Sequence, residues 1–295
     1  MTSISTFASH QILNWILGRQ NFAVPPRLYL ALSLTPLAND ALGIQEPSPA
    51  TGYSRIPLPN TKQTFSVAAN RTVTIIREFI GSVATQNQGE LTHFAIYDAP
   101  TGGNLYFYGE LQMSIDVEIE TTTLLSGNGI NSFLLDICGC VGSTTEMGIA
   151  IAFANQILDR VLGGTPFTPP ATYFLGVSST PISPDLGVGF TEPTGGNYQR
   201  LAIPNDKNSF TMAADKMVTI AQEFRFSNST TPWGNMTHFF ISNTLTGPTV
   251  LWSGELIHSR NVELNTTLVV APGSFTWHLD SCIPDAIPST QLFGG

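Results

Sequence analysis

A chain of 295 residues with a net charge of −9 and no basic run is not expected to bind a phosphate backbone, which needs clustered lysine and arginine. Only 11% of the residues are charged, well below the usual ~25%, and such a surface suits packing against other subunits. No uncharged apolar stretch reaches ~18 residues and no cationic segment precedes an apolar core at the start, so we expect neither a membrane span nor a signal peptide, and synthesis in a cytoplasm.

The sequence contains an internal repeat whose matched residues lie 145 positions apart. Its clearest segment, residues 89–111, has the pattern of a strand, a Gly-rich turn and a second strand, and the same pattern recurs at 234–256. A repeat of this length predicts two homologous modules. We predict a first domain over 1–140, a second over 141–282 and a C-terminal tail over 283–295.

Each module begins with a predicted helix. Apolar residues recur at intervals of three and four between Phe7 and Leu17, and the pattern stops at Gly18. The second module repeats this pattern between Ile149 and Leu162, before a pair of glycines. Because short helices need tertiary burial, we predict that each packs on the sheet of its own module. The alternative is that the apolar stripe binds a partner.

Short predicted strands follow each helix, separated by Gly, Pro, Asn and Ser. In the first module they cover 28–34, 53–57, 72–79, 92–97, 104–111, 115–120 and 133–137. About seven short strands with regular turns predict a mainly β fold, two tandem β-sandwich or jelly-roll-like modules that each carry a short N-terminal helix. The stretches 37–50 and 182–196 are predicted loops, where recognition usually lies.

Polar residues that recur in both modules are the candidates for chemistry. They are Arg55, Glu78, His93 and Glu110 in the first module and Arg200, Glu223, His238 and Glu255 in the second. A histidine beside a carboxylate can act as a general acid–base pair. These residues lie in predicted strands among apolar neighbours, so we favour buried Arg–Glu or His–Glu pairs that hold strands in register. We predict no catalytic residue.

Three cysteines occur, Cys138, Cys140 and Cys282, and they make a poor zinc set. We interpret them as buried or free thiols, and we predict neither a metal nor a cofactor.

Aromatic residues give a second kind of candidate, because exposed aromatic rings stack on sugars or anchor protein interfaces. Strand alternation places Tyr106 and Tyr108 on the face opposite Phe107, so we expect one of the two faces to be exposed, and Trp252 lies in the matching strand of the second module. The tail contributes Leu292 and Phe293, which either fray or dock on a neighbouring molecule. Core packing is the alternative explanation for the aromatic residues.

The repeated phrase resembles a β-rich module of tailed-bacteriophage structural proteins, a family labelled tail-fibre or head-decoration proteins. The matching motifs are Tyr-x-Ala-Leu-Ser at 29–33, Glu-Pro at 46–47 and 192–193, Tyr-x-Arg at 53–55 and 198–200, and Thr-His-Phe at 92–94 and 237–239. Three positions depart from the pattern: Gln88 replaces Trp, Asn243 replaces Asp and Pro248 replaces Gly.

The resemblance implies a non-enzymatic virion structural protein that contacts other virion proteins, either the major capsid protein or tail proteins, and associates with itself. It implies no nucleic-acid or membrane partner. We favour an accessory capsid decoration or cement protein, because the repeat or coiled-coil shaft expected of a long fibre is not evident. The alternative is a tail or baseplate component such as a tail fibre or receptor-binding protein. A carbohydrate-binding module is the second alternative.

Overall fold

The computed structural model describes residues 2–38, 40–125, 133–134, 148–183 and 188–279. Within these residues the fold is mainly β, in two tandem modules that each begin with a short β-strand and a helix, which confirms the predicted fold class. The three cysteines, the predicted boundary near residue 140 and the predicted tail lie outside the described residues.

In the first module, helix α1 spans Thr6–Ile16. The strands are β1 Thr2–Ile4, β2 Arg27–Ser33, β3 Ile56–Pro59, β4 Thr72–Val73, β5 Phe79–Val83, β6 Gly89–Tyr97, β7 Leu105–Val117, β8 Thr122–Leu125 and β9 Phe133–Leu134, with a 3₁₀ turn at Pro49–Thr51.

In the second module, helix α2 spans Ile151–Val161. The strands are β10 Gly148–Ile149, β11 Thr172–Ser178, β12 Leu201–Pro204, β13 Met217–Thr219, β14 Phe224–Arg225, β15 Gly234–Ser242, β16 Trp252–Val262, β17 Val269–Val270 and β18 Thr276–His278.

Each module is built on one antiparallel five-stranded sheet, and the two sheets have the same strand order. The first runs β1-β7-β6-β2-β3, and the second runs β10-β16-β15-β11-β12. Short two-stranded sheets complete each module, β4 with β9 and β5 with β8 in the first, β13 with β18 and β14 with β17 in the second. The sequence repeat is therefore also a repeat of topology.

The inner face of the first sheet packs against the helix and the short strands. Leu28, Leu30 and Leu32 alternate along β2, are fully or almost fully buried and belong to the same apolar cluster as Ala8 and Ile12 of α1. The layer opposite the large sheet is therefore made of a helix and short two-stranded sheets.

Helix α1 begins and ends at residues suited to those positions. The Ser5 hydroxyl accepts a hydrogen bond from the Ala8 amide (3.0 Å), as expected of a residue that caps a helix N-terminus. Gly18, just beyond the helix, has a φ of 62°. A β-carbon on Gly18 would lie 2.1 Å from the Asn205 carbonyl oxygen of the second module, so this position also requires glycine for close approach.

The two modules hold each other's helices. Hydrogen bonds join the loops of one module to the helix of the other, and each has a counterpart between residues that lie 145 positions away in the chain. They are Lys216 N to His10 Nε2 (3.0 Å), Ala213 N to Asn14 Oδ1 (2.8 Å) and Asn205 Nδ2 to Ile16 O (3.0 Å), matched by Arg71 N to Asn155 Oδ1 (2.9 Å), Ala68 N to Asp159 Oδ1 (2.7 Å) and Asn60 Nδ2 to Val161 O (2.9 Å). The interface thus has a pseudo-twofold symmetry.

Apolar packing crosses the same interface. The ring of Trp15 meets that of Phe167 edge-on at 5.6 Å, and Phe167 in turn meets Phe153 at 5.9 Å. One continuous apolar cluster therefore includes residues of both modules. The expectation that each helix packs on its own sheet was incomplete, because Phe7 of α1 meets Tyr106 of β7 at 5.6 Å while the polar side of α1 docks on the second module.

Two parts of the first module are divided into strands differently from the prediction. The predicted strand over 72–79 is divided into β4 and β5, and the two predicted strands over 104–111 and 115–120 are largely one strand, β7. The pairing of β7 with β6 is irregular at this point, since the register shifts between His93 opposite Glu110 and Leu91 opposite Ile115. The same shift occurs in the second module, so the irregularity belongs to the repeated fold.

At one matched pair of neighbouring strand positions, the two modules carry side chains of very different size. In the first module, Ala31 lies opposite Ala95. In the second module, Gly176 lies opposite Phe240, and a β-carbon on Gly176 would come 2.2 Å from the Phe240 ring. The glycine therefore makes room for the phenylalanine ring of the neighbouring strand.

This exchange predicts that Gly176→Ala and Phe240→Ala are coupled. Gly176→Ala should lower the free energy of unfolding by about 1–3 kcal/mol through overpacking. Phe240→Ala should lower it by about 3–5 kcal/mol through the loss of a buried ring. The double variant, which carries the residues of the first module, should lose at least ~1 kcal/mol less than the sum, as measured by urea denaturation. Additive losses would contradict the packing described here.

Candidate functional site

A loop covers the outer face of each large sheet. We call residues 34–47 and 179–192 the cover loops, of which residues 39 and 184–187 are outside the described set. Leu37, Ala41 and Ile44 of the first loop pack on Ala31 and Tyr97 of the sheet. In the second module, Ile182 and Phe190 pack on Phe240, with the two phenylalanine rings 4.7 Å apart.

A buried arginine holds the first cover loop. Arg55 donates from Nε and Nη2 to the Glu46 carboxylate, with an Nη2–Oε1 distance of 2.7 Å. Its Nη1 donates to the carbonyls of Ala99 (3.0 Å) and Gly102 (2.7 Å) in the β6–β7 turn. The guanidinium lies over the Tyr97 ring at 3.8 Å, so one side chain joins the loop, the turn and the sheet.

The second module repeats this arrangement. Arg200, whose side chain is 2% exposed, donates to the Glu192 carboxylate from Nε (3.0 Å) and Nη2 (2.7 Å). It also donates to the carbonyls of Thr244 (3.0 Å) and Gly247 (2.6 Å) and lies 4.8 Å from the Phe240 ring. We call these two sets of contacts the arginine clusters.

A tyrosine completes each arginine cluster. The Tyr53 hydroxyl accepts from the Leu32 amide (2.9 Å) and donates to Glu46 (3.1 Å). Tyr198 does the same with the Val177 amide (3.2 Å) and Glu192 (2.8 Å). Burial, together with the neighbouring carboxylate, raises the pKa of both tyrosines well above the ordinary value, so both hydroxyls remain protonated donors.

A serine fixes the base of each cover loop through hydrogen bonds to the loop backbone. Ser33 donates to the Thr35 carbonyl (2.8 Å) and accepts from the amides of Thr35 (3.2 Å) and Gln45 (3.0 Å). Ser178 makes the matching bonds to Thr180 O (2.8 Å), Thr180 N (3.1 Å) and Thr191 N (2.9 Å). Both serines are fully buried.

The predicted histidines lie in the same cross-strand row as these serines. Ser33 is opposite His93, which is opposite Glu110, so a serine, a histidine and a glutamate are aligned across three strands. The His93 Nδ1 is hydrogen-bonded to the hydroxyl of the adjacent Thr92 at 2.8 Å. Because the Ser33 hydroxyl is buried and its bonds are taken by the backbone, this row lacks an available nucleophile. His238 repeats the arrangement with Thr237 (2.7 Å) and lies opposite Glu255.

The remaining predicted residues lie elsewhere. Glu78 and Glu223 are exposed and take no part in the arginine clusters, and Glu223 makes a surface ion pair with Arg225 at 2.6 Å. We expected buried Arg–Glu or His–Glu pairs, and the carboxylates paired with Arg55 and Arg200 are those of Glu46 and Glu192.

The predicted interface aromatic residues are mostly core residues. Tyr106 is 3% exposed and Trp252 is fully buried, and only Tyr108 is half-buried at the edge of the first cover loop. Alternation did not expose Tyr106, because Phe7 and Phe22 cover it, with ring distances of 5.6 and 6.4 Å. Leu292 and Phe293 lie outside the described residues.

The sequence contained a signal for the missed partners. Glu46 stands nine residues before Arg55, and Glu192 stands eight residues before Arg200, each within a recurring Glu-Pro pair. The recurrence of this carboxylate with the arginine makes Glu46 and Glu192 candidates for a pair that closes the loop, among the other carboxylates that also recur.

Other kinds of site were also considered. In the part of the chain that the structure describes, no group of three or more His, Cys, Asp or Glu side chains is placed to hold a metal ion. Neither described helix has the length and hydropathy of a membrane span. Beside Tyr53 and Gln88 there is a cavity of about 10 Å³, roughly the space of one water molecule.

The fold and these clusters define a tandem β-module protein whose recurring polar residues brace loops. The family model described as "Podophage GP4 fiber I protein gp80" matches residues 3–131 and again residues 148–278. The chain belongs to this family of phage fibre structural proteins, which confirms the predicted resemblance to a phage virion protein with tandem modules. Comparison with curated proteins finds no match.

The arginine clusters predict that replacing a buried arginine lowers the free energy of unfolding much more than replacing an exposed one. Arg200→Met should lower the free energy of unfolding by about 3–5 kcal/mol, because it leaves the Glu192 carboxylate without its positively charged partner and two turn carbonyls without their donor. The matched control is Arg225→Met, which removes a pair whose arginine is 61% exposed and should cost no more than ~0.5 kcal/mol. Equal losses in urea denaturation would show that Arg200 does not hold the loop.

Proposed function

We propose that this protein is a structural component of a tail fibre and that it assembles with other tail proteins of the virion. The observation that carries the proposal is the match to a phage fibre family over both modules. The fibre, which the sequence analysis gave as the alternative, is now favoured over capsid decoration because the family description names a fibre.

The arginine clusters support a scaffolding role for the repeated fold. Each cluster fixes a cover loop and a neighbouring turn to a rigid sheet, so the loops can differ in sequence while their ends stay in place. Leu42 shows what such a loop can present, since it is 68% exposed on the first cover loop. We infer that contacts with other molecules are made by the cover loops.

A non-enzymatic role agrees with the chemistry of the recurring residues. The serine of the Ser33–His93–Glu110 row donates to and accepts from the backbone, and it pins a loop. The guanidinium groups of Arg55 and Arg200 are occupied by carboxylates and carbonyls of the same module. These groups are engaged in holding the fold.

The carbohydrate-binding alternative receives little support from the aromatic residues. All four tryptophans, which would be the strongest stacking platforms for sugar rings, are at most 9% exposed. Trp233 donates its indole N–H to the Gly196 carbonyl at 2.9 Å and packs on Tyr198, so it supports the second arginine cluster from within the module.

Immunogold electron microscopy of intact phage particles tests the location. An antibody raised against the purified protein should label the fibres of the tail, and an antibody against the major capsid protein on the same particles is the control. Gold over the capsid shell with unlabelled fibres would contradict the proposal and favour the decoration protein.

A further inference from the structure

The two sides of the interface between the modules have matching hydrogen bonds, but one of these bonds uses a different acceptor residue on each side. On one side, the Arg71 amide donates to the side-chain oxygen of Asn155 at 2.9 Å. On the other side, the Lys216 amide donates to Nε2 of His10 at 3.0 Å. Asparagine does not titrate near neutral pH, whereas histidine does, so of these two matched acceptors only His10 changes its charge in that range.

Both amides belong to tight hairpin turns with unusual backbone geometry. Ala214 and Met217 exchange two backbone hydrogen bonds, of 3.0 and 2.8 Å, around Asp215 and Lys216. These two central residues have φ angles of 49° and 59°, in the left-handed region that non-glycine residues seldom adopt. Such a conformation persists when surrounding contacts hold it, and the bond to His10 is one of those contacts.

The bond requires a neutral imidazole. When Nε2 accepts the Lys216 amide proton, that nitrogen must carry a free lone pair. Protonation places a hydrogen on Nε2, so two N–H groups face each other and the acceptor is lost.

Among the described residues, the charges that act on His10 are those of the turn itself, and one neighbouring strand adds a titratable group beside the turn. Asp215 is exposed and Lys216 is buried, while α1 carries no charged side chain between Thr6 and Ile16. His278 on β18 lies opposite Met217 in the short sheet. A positive charge on His10 would therefore stand beside the buried ammonium of Lys216, with the exposed carboxylate of Asp215 as partial compensation.

We propose that His10 and the 214–217 turn form a pH-sensitive latch between the two modules, which is closed when the imidazole is neutral and released by its protonation. The latch is independent of the proposed function, since it depends on contacts within one chain. Its effect is to loosen the second module's turn from the first module's helix in acidic solution while the opposite contact persists.

The direction of the pH dependence follows from the environment of the imidazole. Partial burial lowers the pKa of His10, the carboxylate of Asp215 opposes this effect, and the ammonium of Lys216 adds to it. Because the pKa in the closed state lies below the ordinary value of ~6.5, the latch contributes fully above that pH. Its contribution is lost as the pH falls through the lowered pKa.

Hydrogen exchange measured by mass spectrometry on the full chain tests the latch. Segments around 213–217 and 68–72 are compared between pH 7.5 and pH 5, after correction for the intrinsic pH dependence of exchange. In the unmodified protein, acidification should reduce protection of the 213–217 segment about threefold to tenfold, the change expected for one net hydrogen bond. Protection of the 68–72 segment should not change.

Two single variants each place, at position 10 or position 155, the residue found at the matched position of the other module. His10→Asn should keep the 213–217 segment protected at both pH values, because the amide oxygen replaces the imidazole as acceptor. Asn155→His should make the 68–72 segment lose protection on acidification. The proposal is overturned if His10→Asn retains the acid response, if Asn155→His does not acquire one, or if acidification lowers protection of both segments equally in the unmodified protein.

Discussion

The structure depends on the reciprocal docking of each helix on the opposite module. Helices α1 and α2 are 11 residues long, too short to persist without tertiary burial. Each buries its apolar side in the shared cluster, and its polar side accepts hydrogen bonds from the backbone of the other module's loops. Removing one module would leave apolar surface and backbone amides of the other without their partners.

The two faces of each sheet consequently have separate roles. The inner face joins the helix, the short strands and the second module into one core. The outer face carries the cover loop, which the arginine cluster fixes at its end and a buried serine fixes at its base. In a protein of a fibre family, this arrangement separates the contacts that make the fold rigid from the cover loops, whose sequence can vary.

Much of the fold was predictable because the sequence is repeated. Two copies of the same phrase identified the modules, and the apolar spacing in residues 7–17 predicted the first helix close to its observed bounds. The docking of each helix on the other module was not predictable from one sequence, because the polar residues that make it, such as Asn14 and Asn155, are indistinguishable from residues on any solvated helix face.

The candidate site was predicted in part for a similar reason. The recurrence of Arg55 in the second module identified it as a candidate. Recurrence does not show which of several nearby carboxylates pairs with the arginine, and Glu46 is separated from it by a loop. Spacing along a strand could not foresee the burial of Trp252, since Phe153 and Tyr173 cover it with ring distances of 4.7 and 5.4 Å. Long-range contacts decided both outcomes.

Differential scanning calorimetry of the full chain tests the central claim that the two modules form one cooperative unit. The account predicts a single transition in which the calorimetric and van't Hoff enthalpies agree, because the modules share one core and each holds the other's helix. Two separate transitions, or a calorimetric enthalpy about twice the van't Hoff value, would show that the modules unfold independently and would contradict the account.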